Sequence, residues 1–283
     1  MRGSGGSDSL PRLRAHARRV AAALCAGILL ASCSTADPAP STPPPNGASP
    51  AERGGEHRGG DGGSRDDGPP LVVLDPGHNG ANAEHLDEIE RRVPNGRGEH
   101  KQCNSTGTST DDGYGEHAFN FAVAEQVRER LTARGVRVEL TREDDEGYGP
   151  CVDERAAIGN RAGADAVVSI HADGTAPSAS GFHVIYSDPP LNEAQRGPAV
   201  RLAHAMAEGM TDAGLPVADY IASDEGFDPR DDLAGLNLST VPAVLVECGN
   251  MRNPAEARAM ASPEGRAHYA DAITRGITRY LDR

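Results

Sequence analysis

Three short apolar runs constrain this chain most, because each ends in a side chain able to ligate a metal or move a proton. Leu71-Val72-Val73-Leu74 leads into Asp75-Pro76-Gly77-His78, Ala166-Val167-Val168-Ser169-Ile170 into His171-Ala172-Asp173, and Ala243-Val244-Leu245-Val246 into Glu247-Cys248-Gly249. Such runs, β-branched and without two-fold alternation, read as buried strands of an α/β sheet. Open α/β sheets bind ligands beyond the carboxyl ends of their strands. His78, His171 and Glu247, far apart in sequence, are therefore expected to converge on one site suited to metal-assisted hydrolysis.

The first 33 residues contain five arginines and one acid, with an apolar stretch from Val20 to Ala31 that closes on Leu30-Ala31-Ser32-Cys33. A basic start, a short apolar stretch and small residues before a cleavage point describe an export signal too short to span a bilayer permanently. The last four residues resemble a bacterial lipobox, which implies cleavage before Cys33 and acylation of its thiol. Residues 34–70 hold eight glycines and eight prolines in 37 positions. That composition cannot bury enough surface to offset its ordering entropy, and a disordered tether is expected. Residues 71–283 suit one catalytic domain. The expected location is outside the cytoplasm, on the outer face of the membrane or in the periplasm, held by lipid on Cys33.

Charge limits the partners. The chain carries a formal net charge of −14, and its basic start makes residues 34–283 more acidic still. Such a surface repels phosphate backbones, so nucleic acid is excluded, and membrane contact is left to the acyl chains. A monomer is expected. Cys103 and Cys151 lie in polar, glycine-rich stretches and are expected to staple two loops in an oxidising compartment. Cys248, at a strand end, reads as a small buried hydrophobe.

Elements alternate through the domain. Strands are predicted at 71–75, 136–141, 166–170, 181–187 and 243–248, and helices at about 116–133, 152–162, 193–213 and 264–281. The stretch 79–115 reads as a long functional loop that could gate the cleft, and an irregular acidic segment with Gly226, Pro229 and Gly235 precedes the last strand. Strands alternating with helices mean a layered α/β domain: a twisted, mostly parallel or mixed sheet flanked by helices.

A catalytic zinc takes three protein ligands and a water, so the two histidines need a third partner. Glu116 opens a helix directly after Tyr114-Gly115, where the helix dipole favours a carboxylate. Glu84, Glu88, Glu90 and Glu99 are further carboxylates in the same stretch. Glu247 ends an apolar strand, so it must be hydrogen-bonded, metal-bound or protonated. There it can act as the general base and acid. His85, His100, His117, His204 and His268 read as surface residues, His183 as a candidate wall of the cleft, and Asp144-Asp145-Glu146 and Asp231-Asp232 as solvated charges.

Taken together, Leu74-Asp75-Pro76-Gly77-His78, Glu116 opening a helix, Thr141-Arg142, Arg155 with Asn160, Ala164-Asp165, Ser169-Ile170-His171-Ala172-Asp173, and Pro242 through Glu247 with Gly249 and Asn253 resemble the type-3 family of zinc-dependent N-acetylmuramoyl-L-alanine amidases. The likeness is nearest to compact mycobacterial and actinobacterial members made of the catalytic domain alone. The resemblance implies zinc on His78, Glu116 and His171, Glu247 as catalytic base and acid, Asp75 orienting His78, and peptidoglycan as substrate. Cleavage would fall on the amide between N-acetylmuramic acid and L-alanine of the stem peptide. A zinc peptidase acting within stem peptides and a non-catalytic peptidoglycan-binding lipoprotein are the alternatives.

Overall fold

The computed structural model describes residues 68–223 and 225–282; the predicted export signal, Cys33 and all but the end of the tether lie outside them. In chain order the elements are β1 (Leu71–Pro76), α1 (Leu86–Ile89), β2 (Arg92–Pro94), β3 (His100–Gln102), α2 (Glu116–Thr132), β4 (Arg137–Leu140), α3 (Val152–Ala162), β5 (Ala166–Asp173), β6 (His183–Ser187), α4 (Val200–Asp212), β7 (Phe227–Arg230), α5 (Ala234–Asn237), β8 (Ala243–Asn250), α6 (Pro254–Ala261) and α7 (Pro263–Leu281). Six strands form one sheet in the order β4-β1-β5-β8-β6-β7. All neighbours run parallel except β8 and β6. The three runs that open the sequence argument are thus adjacent central strands, covered on both faces, which explains their lack of alternation. The edge strands β4 and β7 carry Arg137, Glu139, Asp228, Pro229 and Arg230, residues that discourage edge-to-edge pairing.

Alternate residues divide the core. Val72, Leu74, Val168, Ile170, Val244 and Val246 pack with α2, α4 and α7 on one face. Val73, Val167 and Ala243 pack with Ala164 and Leu236 on the other, with Ile158 of α3 beside them. This second face also carries Asp75, Ser169, His171 and Glu247, which share its parity. On the first face α4 and α7 approach so closely that a Cβ on Gly209 would lie 2.5 Å from the Gly276 nitrogen.

The structure corrects several expectations. The stretch 79–115, expected as one long loop, contains α1 and the hairpin β2–β3, and the hairpin is held at both ends. Cys103 is disulfide-bonded to Cys151. At the far end Arg97 donates to Asn237 Oδ1 at 3.2 Å and to Ser187 Oγ at 3.0 Å. The acidic segment contributes β7, hidden from sequence reading by its proline and aspartates. The helix expected at about 193–213 is present from Glu193 to Asp212, with a π-helical stretch Gln195–Ala199 that includes Pro198 leading into α4. Helix α6 was legible but overlooked: Asn253 caps it by accepting from the Ala255 and Glu256 amides, with Pro254 in its first turn, the usual N-terminal signal.

Candidate metal and proton-transfer site

The Gly77-His78 turn follows directly from β1. His78 has φ 60°, the one non-glycine residue with positive φ among those described, a conformation that costs about 1–2 kcal/mol. Arg155 holds it, donating from Nη2 to the His78 carbonyl at 2.7 Å and from Nη1 to the Pro76 carbonyl at 2.7 Å. Arg155 sits in the first turn of α3, directly after the disulfide. His78 Nδ1 lies 2.9 Å from the Ser105 carbonyl, so that nitrogen carries the proton and Nε2 is left with its lone pair.

Glu116 begins α2 and lies between the two histidines. Its Oε2 is 3.1 Å from His78 Nε2, and its Oε1 is 2.9 Å from His171 Nδ1. The Thr108 amide donates to Oε2 at 2.9 Å and the Ala172 amide to Oε1 at 3.2 Å. Asn120, one turn along the helix, adds a donor at 3.3 Å. Burial alone would raise the Glu116 pKa, but the charge and hydrogen bonds of the His78 and His171 imidazoles hold it well below the usual carboxylate range. On His78 burial opposes the charge, and Glu116 outweighs it to raise the pKa.

His78, Glu116 and His171 offer one ligand atom each, and these atoms lie within 4.8 Å of one another. Two imidazoles and a carboxylate from three separate elements, with the His78 tautomer fixed from behind, fit a divalent metal ion and leave a side open. Glu116 is the carboxylate that converges; Glu84, Glu88 and Glu99 are exposed around the hairpin, as is Glu90. Two glycines make the approach possible. A Cβ on Gly77 would stand 2.2 Å from His171 Cε1, and one on Gly107 would stand 2.8 Å from both Glu116 Oε2 and His78 Cδ2.

Glu247 lies beside this triad, paired in register with His171 across β5 and β8. Its Oε2 is sealed from solvent without a hydrogen-bond partner, whereas the residue keeps partial exposure. Burial, reinforced by Glu116 and Asp173, pushes its pKa well above the ordinary carboxylate value. A carboxyl group so placed is poised to take and return a proton.

Asp75 requires a correction. It does not meet the His78 ring, whose Nδ1 is taken by Ser105. Its Oδ1 accepts from Thr141 Oγ1 at 2.6 Å and Arg155 Nη1 at 2.7 Å, and its Oδ2 from Ser169 Oγ at 2.6 Å. Burial is outweighed by Arg155 and the hydroxyls, and the pKa falls to about 2. Asp75 therefore serves His78 only indirectly, by fixing the guanidinium that grips the turn. Asp145 is likewise no solvated charge: it pairs with His117 Nδ1 at 2.7 Å and Arg142 Nη1 at 2.9 Å. Sequence reasoning missed Asn120 and Ser105, although Asn120 lies four residues after Glu116 and so on the same helical face.

A cavity of about 460 Å³ adjoins the site between the sheet and the hairpin, with His78 and His171 in its wall and Val152, Ala156, Leu236 and Leu245 among its apolar lining.

Comparison with known proteins decides the family. The N-acetylmuramoyl-L-alanine amidase family model matches residues 72–279. The chain belongs to that family. It is 50% identical over 211 residues to N-acetylmuramoyl-L-alanine amidase Rv3717 of Mycobacterium tuberculosis, covering 75% of this chain and 86% of that protein. The crystal structure of the amidase Ami1 from Mycobacterium smegmatis superposes with a TM-score of 0.74 at 53% identity, over 77% of this chain and 99% of that one. The apo form of Ami1 from Mycobacterium abscessus gives 0.73 at 50% identity, over 76% and 99%. The chain is accordingly a hydrolase of the amidase class, and the mixed α/β sheet expected from sequence is the fold of these relatives.

Proposed function

We propose that this protein hydrolyses the amide between N-acetylmuramic acid and the L-alanine of the peptidoglycan stem, using zinc held by His78, Glu116 and His171 and Glu247 as base and acid. The observation that carries the reading is the register: the ligand His171 and the unpartnered carboxyl Glu247 stand opposite one another on adjacent strands. When bound, zinc would polarise the scissile carbonyl and make water a nucleophile near neutral pH. Glu247 takes the proton of the attacking water and returns it to the departing alanine nitrogen. Glu116 and the Ser105 carbonyl hold the imidazoles, and Arg155 keeps the His78 turn in its strained conformation.

The protein acts on the cell wall, outside the cytoplasm. We assign residues 1–33 as a lipoprotein signal, Cys33 as the acylated residue, 34–70 as a tether and 71–283 as a monomeric catalytic domain. Radiolabelled fatty acid incorporation lost in Cys33→Ser tests the anchor.

The catalytic test is digestion of peptidoglycan with mass spectrometry of the ends, beside zinc quantification. Free stem peptides beginning with L-alanine are expected. Glu247→Ala should keep zinc and lose turnover by about 10²- to 10⁴-fold, whereas His78→Ala and His171→Ala should lose zinc. Cleavage inside the stem would make the protein a peptidase, and zinc without cleavage would make it a binding protein.

A further inference from the structure

The hydrolysis described above leaves one buried histidine beside the site without a task. Strand register sets His183 of β6 opposite Glu247 of β8, and His171 of β5 opposite Glu247 from the other side. Paired residues share a face of the sheet, so Glu247 has a histidine on the strand at either side, with the His183 Nδ1 and Glu247 Oε2 atoms not in hydrogen-bond contact in this structure. His171 belongs to the triad. His183 is 3% exposed, and its Nδ1 is sealed from solvent without a hydrogen-bond partner.

The same is true of Glu247 Oε2. Buried polar atoms left unpaired are rare in folded proteins and each calls for a reason; here two of them belong to residues directly opposite one another. Packing does not explain a histidine at this place, because its neighbours along the strand, Val184 and Ile185, are buried and apolar. The surroundings hold the ring in place. The Tyr220 ring stands edge-on to it, centroids 5.7 Å apart, and the Tyr220 hydroxyl donates to Asp173 Oδ2 at 3.0 Å. That carboxylate lies 3.9 Å from His183 Nδ1, too far for a hydrogen bond. Asp228 and Arg230 act on the ring from β7, and burial, the largest influence, favours the neutral imidazole with one N–H and one lone pair.

We propose that His183 is a positioning residue for Glu247: an imidazole N–H donates to Oε2 and fixes the plane of the carboxyl group so that Oε1 faces the reacting water. The proposal rests on Glu247 being the proton carrier. A carboxylate has lone pairs enough for both partners, and the two oxygens divide the work, the sealed one being held and the other reacting. The bond is not made in this structure, where both atoms stand without a partner; it is assigned to the substrate-bound state, in which catalytic hydrogen bonds tighten.

The test compares His183→Leu and His183→Gln with wild type and Glu247→Gln in the zinc-loaded protein, following kcat, KM and zinc content. It also records the imidazole nitrogens by long-range ¹H–¹⁵N correlation in metal-free protein. His183→Leu should lower kcat by about 10- to 100-fold, the usual range for a partner behind a working residue, with KM and zinc unchanged. His183→Gln, which keeps an N–H donor, should recover most of that loss. In the NMR experiment Glu247→Gln should move the His183 nitrogen shifts. A leucine variant with undiminished kcat, a glutamine variant as slow as leucine, or His183 nitrogens indifferent to Glu247→Gln would each overturn the proposal. Should the leucine variant fail to fold, the NMR comparison decides alone. Full activity in Glu247→Gln would instead remove the proton-carrier reading itself.

Discussion

Gly77→Ala isolates one contact on which the metal site depends. Gly77 does not need a left-handed backbone, so alanine is tolerated conformationally and the only obstacle is steric. The new Cβ would lie 2.2 Å from His171 Cε1 and 2.3 Å from Nε2. Ordinary carbon contacts lie near ~3.5 Å, so the ring must retreat by about 1.3 Å. The backbone cannot absorb this, because the Gly77 amide donates to the Ile170 carbonyl at 3.0 Å and its carbonyl accepts from Asn120 at 3.2 Å and Arg142 at 3.3 Å. Ligand distances tolerate only about 0.2 Å, so the displaced imidazole cannot stay in the triad. Zinc affinity should fall at least about 100-fold, roughly 2.7 kcal/mol. Overpacking should cost the fold only about 1–3 kcal/mol, a fall in Tm of about 2–12 °C. Chelator competition on folded protein measures the affinity. Gly235→Ala, where an added Cβ meets only a 3.7 Å contact, is the control. Zinc binding and turnover within about threefold of wild type in Gly77→Ala would refute the packing argument.

Three further outcomes are expected. Because the folded pKa of Glu247 is raised, its ionisation costs stability once pH exceeds the unfolded carboxyl value; metal-free Glu247→Gln should therefore melt above wild type at pH 7, with the gap closing toward pH 4. Asp75 is the opposite case: its pKa falls from 3.8 to about 2, so its contribution, about 2 kcal/mol, is present above pH 4 and lost as pH falls toward 2. Asp75→Leu should abolish that acid limb of the denaturation profile and, by stranding Arg155, cost about 3–5 kcal/mol. Removing the Cys103–Cys151 bridge, which closes a sequence separation of 48, should cost about 2–4 kcal/mol in urea denaturation. It should also weaken zinc binding by loosening Ser105 behind His78.

Much of the site was legible because strand ends are where an α/β sheet presents its chemistry. The apolar runs identified β1, β5 and β8, and with them His78, His171 and Glu247. Glu116 was found as a carboxylate opening a helix directly after Tyr114-Gly115, and the two histidines in need of a third ligand favoured it. Legibility failed where local signals conflicted with tertiary pairing. Asp228-Pro229 speaks against a strand, yet β7 exists because β6 offers it an edge. On α2, Phe119 is fully buried, whereas Phe121 packs half-buried against the same core with the Arg142 guanidinium over its ring, 4.9 Å from the centroid.

The sequence by itself determined the α/β class, the central strands and the chemical types at their ends, because burial on both faces and the dipole at a helix start leave marks in adjacent residues. Only the tertiary structure decided partnership. It assigned Asp75 to Arg155 rather than to the His78 ring, pinned the long hairpin at both ends, and aligned His171, Glu247 and His183 across three strands. Register and sheet order are set by the packing of residues far apart in the chain, and a short stretch of sequence carries no record of its eventual neighbour.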